Sequence, residues 1–178
     1  MKFVKTSLDG VIILEPDVFE DERGFFLETF HKKRYSDAGI NDRFVQENHS
    51  RSKKNVLRGL HFQINNPQAQ IVTVMNGSIF DVVVDIRPNS VTFRQWFGVK
   101  LSVDGKRQIY MAPGFAHGFF VLSTWADLHY QVTTFYDPNN ESGILWNDPD
   151  INIKWPNESP ILSVKDENLK CLKDIVIS

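Results

Sequence analysis

Three features of the sequence predict an all-β, antiparallel fold of the double-stranded β-helix (jelly-roll) type. Short β-prone segments recur at regular spacing, glycine or proline separates them, and long amphipathic helical patterns are lacking. The 178 residues suit one domain, 1–178, and a hydrophobic content of 42% can supply a sizeable core. We therefore expect a single barrel-like domain with short peripheral helices.

The N-terminal part of the chain predicts two strands and a short helix. In the second strand, Phe26, Glu28 and Phe30 would share one face. That face suits either a platform for a flat base or an ordinary edge strand with its aromatic rings packed inward, and the residues alone leave both open. The predicted segments are strands 10–14 and 24–30 and a helix 31–40 that ends at Gly39.

The middle of the chain predicts paired strands. Asn76-Gly77 between two β-prone runs predicts a hairpin over 71–85, and Asp104-Gly105 predicts a second hairpin over 96–112. Further strands are predicted at 44–50, 119–122 and 128–136, and a short helix is predicted after Ser163.

The central strand, 56–63, carries the candidate base. Strict alternation would place Arg58 on one face and His61 and Gln63 on the other. If the polar face looks into a barrel, His61 is an imidazole able to exchange a proton near neutral pH. A core or surface histidine bonded to the backbone is the alternative that this strand leaves open.

Composition excludes several classes of partner. A net charge of -2 and a pI near 6.2 provide no basic field for a polyanion, so we expect no nucleic acid. The N-terminus has no signal-peptide pattern, and no apolar run reaches the ~20 residues of a membrane helix. A single cysteine, Cys171, suits a reducing compartment. These features predict a cytoplasmic protein.

Two histidines in a jelly roll raise the question of a metal site. A metal-binding barrel of this kind uses a His-x-His pair, an acidic ligand and a further histidine. Here Gln63 stands two residues after His61, residues 64–67 contain no carboxylate, and only His117 remains as a second candidate ligand. We therefore expect neither a metal nor another cofactor.

The remaining polar residues suit proton transfer. A neutral histidine can remove a proton from carbon when an adjacent carbonyl acidifies it. A tyrosine, with an ordinary pKa of about 10, can return a proton from the opposite face. Tyr130 and Tyr136 are the candidate acids, although either could instead be an aromatic residue that fills the barrel.

Several motifs occur in a consistent order along the chain. They are DERGFF at 21–26, VLRGLHFQ at 56–63, DVVVDIR at 81–87, PGFAHGF at 113–119, WNDP at 146–149 and LSVKD at 162–166. With them the chain resembles the dTDP-4-dehydrorhamnose 3,5-epimerase family, which comprises cupin-type nucleotide-sugar epimerases. The resemblance runs from about residue 3 to about residue 170.

The resemblance implies a cupin jelly roll, a homodimer with exchanged N-terminal strands, and a nucleotide-linked 4-keto-6-deoxy sugar as substrate, with dTDP as the expected nucleotide. It implies His61 as the base, Asp166 as the carboxylate that orients it, and Tyr130 as the acid. Arg58 and Arg23 would grip the diphosphate. The other predicted substrate-binding residues are Phe26, Glu28, Gln46, Glu47, Asn48, Gln63, Gln70, His117, Tyr136, Glu141 and Lys165.

One position departs from the family pattern. Where the family has a lysine that stabilises the developing enolate oxygen, this chain has Gln70, which donates a hydrogen bond but carries no charge. His117 or Arg58 could stabilise the enolate oxygen in place of the lysine, the substrate could differ, or only one carbon could be epimerised. The alternatives are therefore a C3 or C5 epimerase, a keto-isomerase of another nucleotide sugar, and a non-catalytic sugar-nucleotide-binding protein.

Overall fold

The computed structural model describes residues 1–176, and residues 177–178 of the predicted domain lie outside the described residues. Nearly all regular structure is β-strand, as predicted. The strands are β1 (Lys2–Lys5), β2 (Val11–Glu15), β3 (Val18–Asp21), β4 (Gly24–Leu27), β5 (Gln46–Lys53), β6 (Leu57–Gln63), β7 (Gln70–Asn76), β8 (Ser78–Asp85), β9 (Trp96–Ser102), β10 (Gln108–Met111), β11 (Phe115–Val121), β12 (Trp125–Val132) and β13 (Glu141–Gly143). The helices are α1 (Lys32–Asp37), α2 (Val164–Glu167) and a 3₁₀ turn, Leu172–Asp174.

Two antiparallel sheets form the barrel. The six-stranded sheet has the order β1-β2-β10-β7-β12-β5, and the five-stranded sheet has the order β13-β6-β11-β8-β9. Strands β3 and β4 pair only with each other. The predicted antiparallel jelly roll with short peripheral helices is confirmed.

The main core lies between the two sheets. Val72 and Leu128 of the six-stranded sheet and Val83 and Leu101 of the five-stranded sheet belong to one buried cluster. Burying a side chain of this size contributes about 1.5–3 kcal/mol relative to leaving it exposed. The two sheets are therefore held together by apolar side chains, and two members of this cluster, Phe119 and Leu128, also line the cavity described below.

The outer faces of both sheets are covered as well. Ile151 and Leu172 of the C-terminal segment pack on the five-stranded sheet, and Tyr35 of α1 packs on the six-stranded sheet. The Tyr35 hydroxyl is satisfied because it lies 3.1 Å from Gln108 Oε1 and 3.0 Å from the carbonyl oxygen of Thr29. No helix within residues 1–176 is long and apolar enough to cross a membrane.

Both predicted hairpins are wrong, although their turns exist. Strands β7 and β8 meet at Asn76-Gly77, but β7 pairs with β10 and β12, while β8 pairs with β9 and β11. Strands β9 and β10 likewise belong to different sheets. Gly77 has a φ of 75°, and a Cβ there would lie 2.0 Å from the carbonyl oxygen of Trp125. A tight turn reverses the chain, but in a jelly roll it also carries the chain from one sheet to the facing one.

The N-terminal predictions are correct in kind: the predicted strand 10–14 matches β2, and the other two predicted elements are too long. The predicted strand 24–30 ends at Leu27, so Phe30 does not continue the face of Phe26 and instead packs 4.8 Å from the Tyr35 ring. Helix α1 occupies part of the predicted helix, and Gly39 follows it with a φ of 90°. The Ser163 hydroxyl caps α2, as predicted.

Candidate active site

A cavity of about 630 Å³ lies between the two sheets and is lined by both polar and apolar side chains. Its volume falls in the range of small-molecule sites. One wall comes from β6 and β11 of the five-stranded sheet, and the facing wall comes from β5, β7 and β12 of the six-stranded sheet. The C-terminal segment around α2 closes a third side.

A β-bulge in β6 brings the candidate base and the candidate anion-binding residue into this cavity together. His61 pairs with His117 and Arg58 pairs with Phe119, so three steps along β6 match two steps along β11. Gly59, between them, has a φ of 111°, which favours glycine. The predicted placement of Arg58 and His61 on opposite faces is wrong, because the extra residue breaks the alternation.

The candidate base is held by a buried carboxylate. His61 Nε2 lies 2.6 Å from Asp166 Oδ1, and the Asp166 side chain is 4% exposed. The backbone N–H of Asp166 donates to the capping Ser163 hydroxyl at 3.1 Å, which fixes the first turn of α2. Burial alone would raise the pKa of Asp166, but the hydrogen bond and charge of His61 hold it below its usual value. With its Nε2–H donating to a carboxylate, the imidazole has its free lone pair on Nδ1.

A second histidine–carboxylate pair stands beside the first. His117 Nε2 lies 2.8 Å from Asp81 Oδ2, and Asp81 is completely buried. The other oxygen of Asp81 has no hydrogen-bond partner among residues 1–176. Sequence reasoning missed Asp81, although a carboxylate between the apolar residues of β8 was the signal, since a buried charge requires a partner.

Tyr130 lies in the wall that faces the candidate base. It projects from β12 of the six-stranded sheet, where it pairs with Asn48, and both residues line the cavity. Burial raises the pKa of Tyr130 although the Arg58 guanidinium lowers it, so the phenol is protonated at neutral pH. His61 and Tyr130 thus approach a molecule in the cavity from opposite sides.

Polar side chains of β5 and β6 extend this lining. Arg58 Nε donates to the Ser52 hydroxyl at 2.9 Å, which holds the guanidinium across the gap between the sheets. Gln46 lies beside Asn48, and its amide nitrogen donates to the Asn48 side chain at 2.9 Å. Gln63 and Gln70 line both this cavity and an adjoining one of about 140 Å³. Sequence reasoning did not single out two further lining residues, Ser50 and Gln68.

Three predicted residues meet beside the base. The hydroxyl of Tyr136 donates to Glu141 Oε2 at 2.6 Å, and Lys165 Nζ forms an ion pair with the same oxygen. The Glu141 hydrogen bond raises the pKa of Tyr136 to about 12. The other oxygen, Glu141 Oε1, lies 3.8 Å from His61 Nδ1.

The structure does not bring four predicted binding residues to this cavity. Glu47 lies on the opposite face of β5, where it accepts a hydrogen bond from Gln131 at 2.6 Å. The other three lie in or just after the separate β3–β4 hairpin, and they are Arg23, Phe26 and Glu28. The side chain of Arg23 is 84% exposed and Phe26 is 70% exposed.

Within residues 1–176, no group of three or more His, Cys, Asp and Glu side chains is arranged to hold a metal ion. The two imidazoles of the cavity each use Nε2 for a carboxylate. An imidazole on one wall, a phenol on the other and cations beside them form an arrangement that suits acid–base chemistry.

Comparisons with known proteins show which family the chain is similar to. The family model of dTDP-4-dehydrorhamnose 3,5-epimerase matches residues 5–174. A dTDP-4-dehydrorhamnose 3,5-epimerase of Escherichia coli (strain K12) is 50% identical over 179 residues, covering 99% of this chain and 97% of the relative. A dTDP-4-dehydrorhamnose 3-epimerase of Streptomyces niveus is 38% identical over 176 residues, covering 98% of this chain and 85% of the relative. The crystal structure of a dTDP-6-deoxy-D-glucose-3,5-epimerase from Legionella pneumophila, in complex with dTDP-4-keto-L-rhamnose, has a TM-score of 0.96 at 50% identity, covering 98% of this chain and 94% of that chain.

Proposed function

Because the chain belongs to the dTDP-4-dehydrorhamnose 3,5-epimerase family of carbohydrate isomerases, we propose that it epimerises a dTDP-linked 4-keto-6-deoxy sugar by proton transfer, without a cofactor. The observation that carries the proposal is the 2.6 Å hydrogen bond between His61 and Asp166 in the cavity wall. The similar Legionella enzyme binds dTDP-4-keto-L-rhamnose, which is a molecule of this class.

The reaction begins at a carbon next to the C4 ketone. His61 Nδ1 takes the proton from C3 or C5, the electron pair of that C–H bond forms the enolate, and the negative charge moves to the C4 oxygen. Asp166 keeps the Nε2 proton in place and stabilises the imidazolium that results. The chemistry needs no redox partner, because the substrate and the product are isomers.

Inversion requires the proton to return from the other face of the enolate. Tyr130 is suited to this step because it lies on the wall opposite His61 and its raised pKa keeps the phenol protonated. A proton passes from the Tyr130 hydroxyl to the carbon, and the phenolate regains a proton from solvent. The His61 imidazolium releases the substrate-derived proton to solvent, which restores the starting protonation states. Tyr136 is the weaker acid candidate because its hydroxyl already donates to Glu141.

The diphosphate of the substrate needs positive charge close to the sugar. Arg58 offers it, since its guanidinium lines the cavity and, within residues 1–176, only its Nε donates a hydrogen bond, to Ser52, which leaves its terminal amino groups as donors. Gln46 and Asn48 on the facing wall provide amide groups that suit the polar parts of the nucleotide.

The test is turnover of dTDP-4-keto-6-deoxyglucose in deuterated water, with label at C3 and C5 measured by NMR. We expect deuterium at both carbons with the wild-type protein and at neither with His61→Asn. Binding of dTDP by the variant, measured by calorimetry, should stay within about threefold because His61 acts on the sugar. Absence of label at both carbons with the wild type would remove the proposal, and the chain would then be a binding protein.

A single-carbon epimerase is the second candidate, and Gln70 favours it. A neutral amide at the cavity wall stabilises an enolate less than a cation does, which favours loss of the harder of the two exchanges. The similar Streptomyces niveus enzyme is a 3-epimerase. Deuterium at C3 alone in the same experiment would select this candidate.

We also propose that the protein works as a homodimer whose β3–β4 hairpin reaches the partner's cavity. The hairpin carries Phe19, Phe25 and Phe26, which are 64%, 55% and 70% exposed, and such a cluster is typical of an interface. Arg23 lies at its tip, where its side chain is 84% exposed and pairs with Asp21, and in the dimer it would exchange this pair for a diphosphate bound to a second copy.

Mixed dimers test this sharing of sites. Arg23→Ala and His61→Asn, each nearly inactive alone, should regain activity when they are unfolded and refolded together, because a hybrid dimer has one site with both residues intact. Light scattering should show a dimer of about twice 20.6 kDa. A stable monomer, or mixed refolding without recovery, would contradict the exchange.

A further inference from the structure

Glu141 occupies a position between the base and two other polar side chains. One of its oxygens accepts hydrogen bonds from Tyr136 and Lys165, and the other lies 3.8 Å from His61 Nδ1. That separation is too long for a hydrogen bond, so the Nδ1 lone pair stays free for a substrate proton. It is short enough for a strong interaction between two charges in a site whose carboxylate is only 13% exposed.

The backbone ties this carboxylate to the strand of the base. Strand β13 pairs with β6, with Glu141 opposite Gln63 and Gly143 opposite His61. A Cβ on Gly143 would lie 2.7 Å from the carbonyl oxygen of Leu60, so glycine is what allows the strands to approach. The position of Glu141 relative to His61 is therefore set by strand pairing rather than by a flexible loop.

The neighbours of Glu141 keep it ionised. Burial would raise the pKa of Glu141, but the hydrogen bonds of Lys165 and Tyr136, together with the charge of His61, hold it below its usual value. The carboxylate therefore stays negative at neutral pH and is already charged before His61 takes the substrate proton. Asp166 plays the corresponding part at Nε2, so the two ring nitrogens face two carboxylates.

We infer that Glu141 is a positioning residue that acts through the base, because its carboxylate, held beside His61 Nδ1, stabilises the positive charge that the imidazole acquires on taking the substrate proton. The inference rests on the proposed function. When the proton moves from carbon to Nδ1, the imidazolium forms next to a fixed negative charge, which stabilises the enolate–imidazolium pair more than the neutral ground state. Lys165 and Tyr136 then act on the reaction through Glu141.

The test separates charge from shape. Glu141→Gln keeps the size and an acceptor for Tyr136 but removes the charge, whereas Glu141→Asp keeps the charge and withdraws it by one methylene. Glu167→Gln is the matched control, because this exposed carboxylate lies next to Asp166 on the same helix. We would measure kcat and KM across pH and dTDP affinity by calorimetry for all three.

For Glu141→Gln we expect kcat to fall by roughly tenfold to a hundredfold, with KM and dTDP affinity within about threefold of wild type. The acidic limb of the kcat profile should move to lower pH, because an imidazolium without the neighbouring charge gives up its proton more readily. Glu141→Asp should keep the wild-type limb and most of kcat, and the control should behave as wild type. The other charged and titratable groups that line the cavity around His61 are Arg58, His117, Tyr130, Tyr136, Lys165 and Asp166, and none of them is substituted in these variants.

Three results would overturn the inference. The first is an acidic limb of the kcat profile that does not move in Glu141→Gln. The second is a rise in KM with kcat retained, which would make Glu141 a substrate-binding residue. The third is a Glu141→Asp variant that loses as much kcat as Glu141→Gln. Deuterium exchange by the wild-type protein is measured separately, because it tests the proposed function and not the role of Glu141. A wild type that exchanges no deuterium overturns the proposed function, whereas an active wild type with an unmoved limb in Glu141→Gln overturns this inference alone.

Discussion

Replacing Asp166 with asparagine tests whether the base depends on its carboxylate. Asp166→Asn keeps the size of a side chain that is 4% exposed, but its amide nitrogen can donate to His61 Nε2. That contact favours the tautomer with the proton on Nδ1, which removes the lone pair that faces the substrate. The matching change in the Ser-His-Asp triad of serine proteases lowers kcat by about 10⁴-fold for the same reason.

We expect kcat of Asp166→Asn to fall by about 10³- to 10⁴-fold, which corresponds to about 4 to 5.5 kcal/mol of lost transition-state stabilisation. The lost charge-assisted hydrogen bond accounts for about 2 to 3 kcal/mol of this, and the wrong tautomer accounts for the rest. The assay is deuterium exchange into the sugar in deuterated water, with dTDP affinity as the measure of an intact cavity. A variant that keeps kcat within tenfold of wild type while binding dTDP normally would refute the reasoning.

Three further predictions concern the wall of the cavity and the frame around it. Gln70→Lys places a cation at the cavity wall and should raise the rate of deuterium exchange at C3, C5 or both by about tenfold to a hundredfold. An unchanged or lower exchange rate, measured by NMR, would contradict the view that this position limits catalysis. Gly59→Ala should lower the free energy of unfolding by about 3 kcal/mol or more, because the new Cβ would lie 2.6 Å from the Gly118 Cα at a φ of 111°. The control Gly39→Ala, whose Cβ would meet no atom within 4 Å, should lower it by about 1 kcal/mol. Equal losses for the two variants in urea titrations would contradict the close approach of the strands at Gly59. Asp85 is fully buried, and although burial raises its pKa, hydrogen bonds from Arg87 and its neighbours bring it to about 2. Because the pKa of Asp85 is lower in the folded state than in the unfolded state, its ionised form should contribute about 2 kcal/mol to the free energy of unfolding above pH 4, and this contribution is lost as the pH falls toward 2. Asp85→Asn should therefore be less stable than wild type at pH 7, and the difference in free energy of unfolding between the two proteins should nearly disappear near pH 2.

Local chemistry in the sequence was sufficient for the fold class, whereas the predicted site residues came largely from the resemblance to a family. Short β-prone runs with glycine and proline between them predicted the jelly roll, and the capping residues Gly39 and Ser163 marked helix ends correctly. Strand pairing could not be predicted from local sequence. The turn at Asn76-Gly77 is visible in the sequence, but whether its strands pair with each other depends on partners far along the chain, such as β10 and β12 for β7.

The sequence by itself determined which chemical groups the cavity could contain, since an imidazole, phenols, a guanidinium and carboxylates are properties of residues. Only the tertiary structure decided which of them meet. The bulge at Gly59 placed Arg58 beside His61 against the strict alternation of a strand, and Asp166 reached His61 across 105 residues. Periodicity describes one strand at a time, whereas these contacts arise where two sheets and a C-terminal helix pack together, and that packing depends on the whole core.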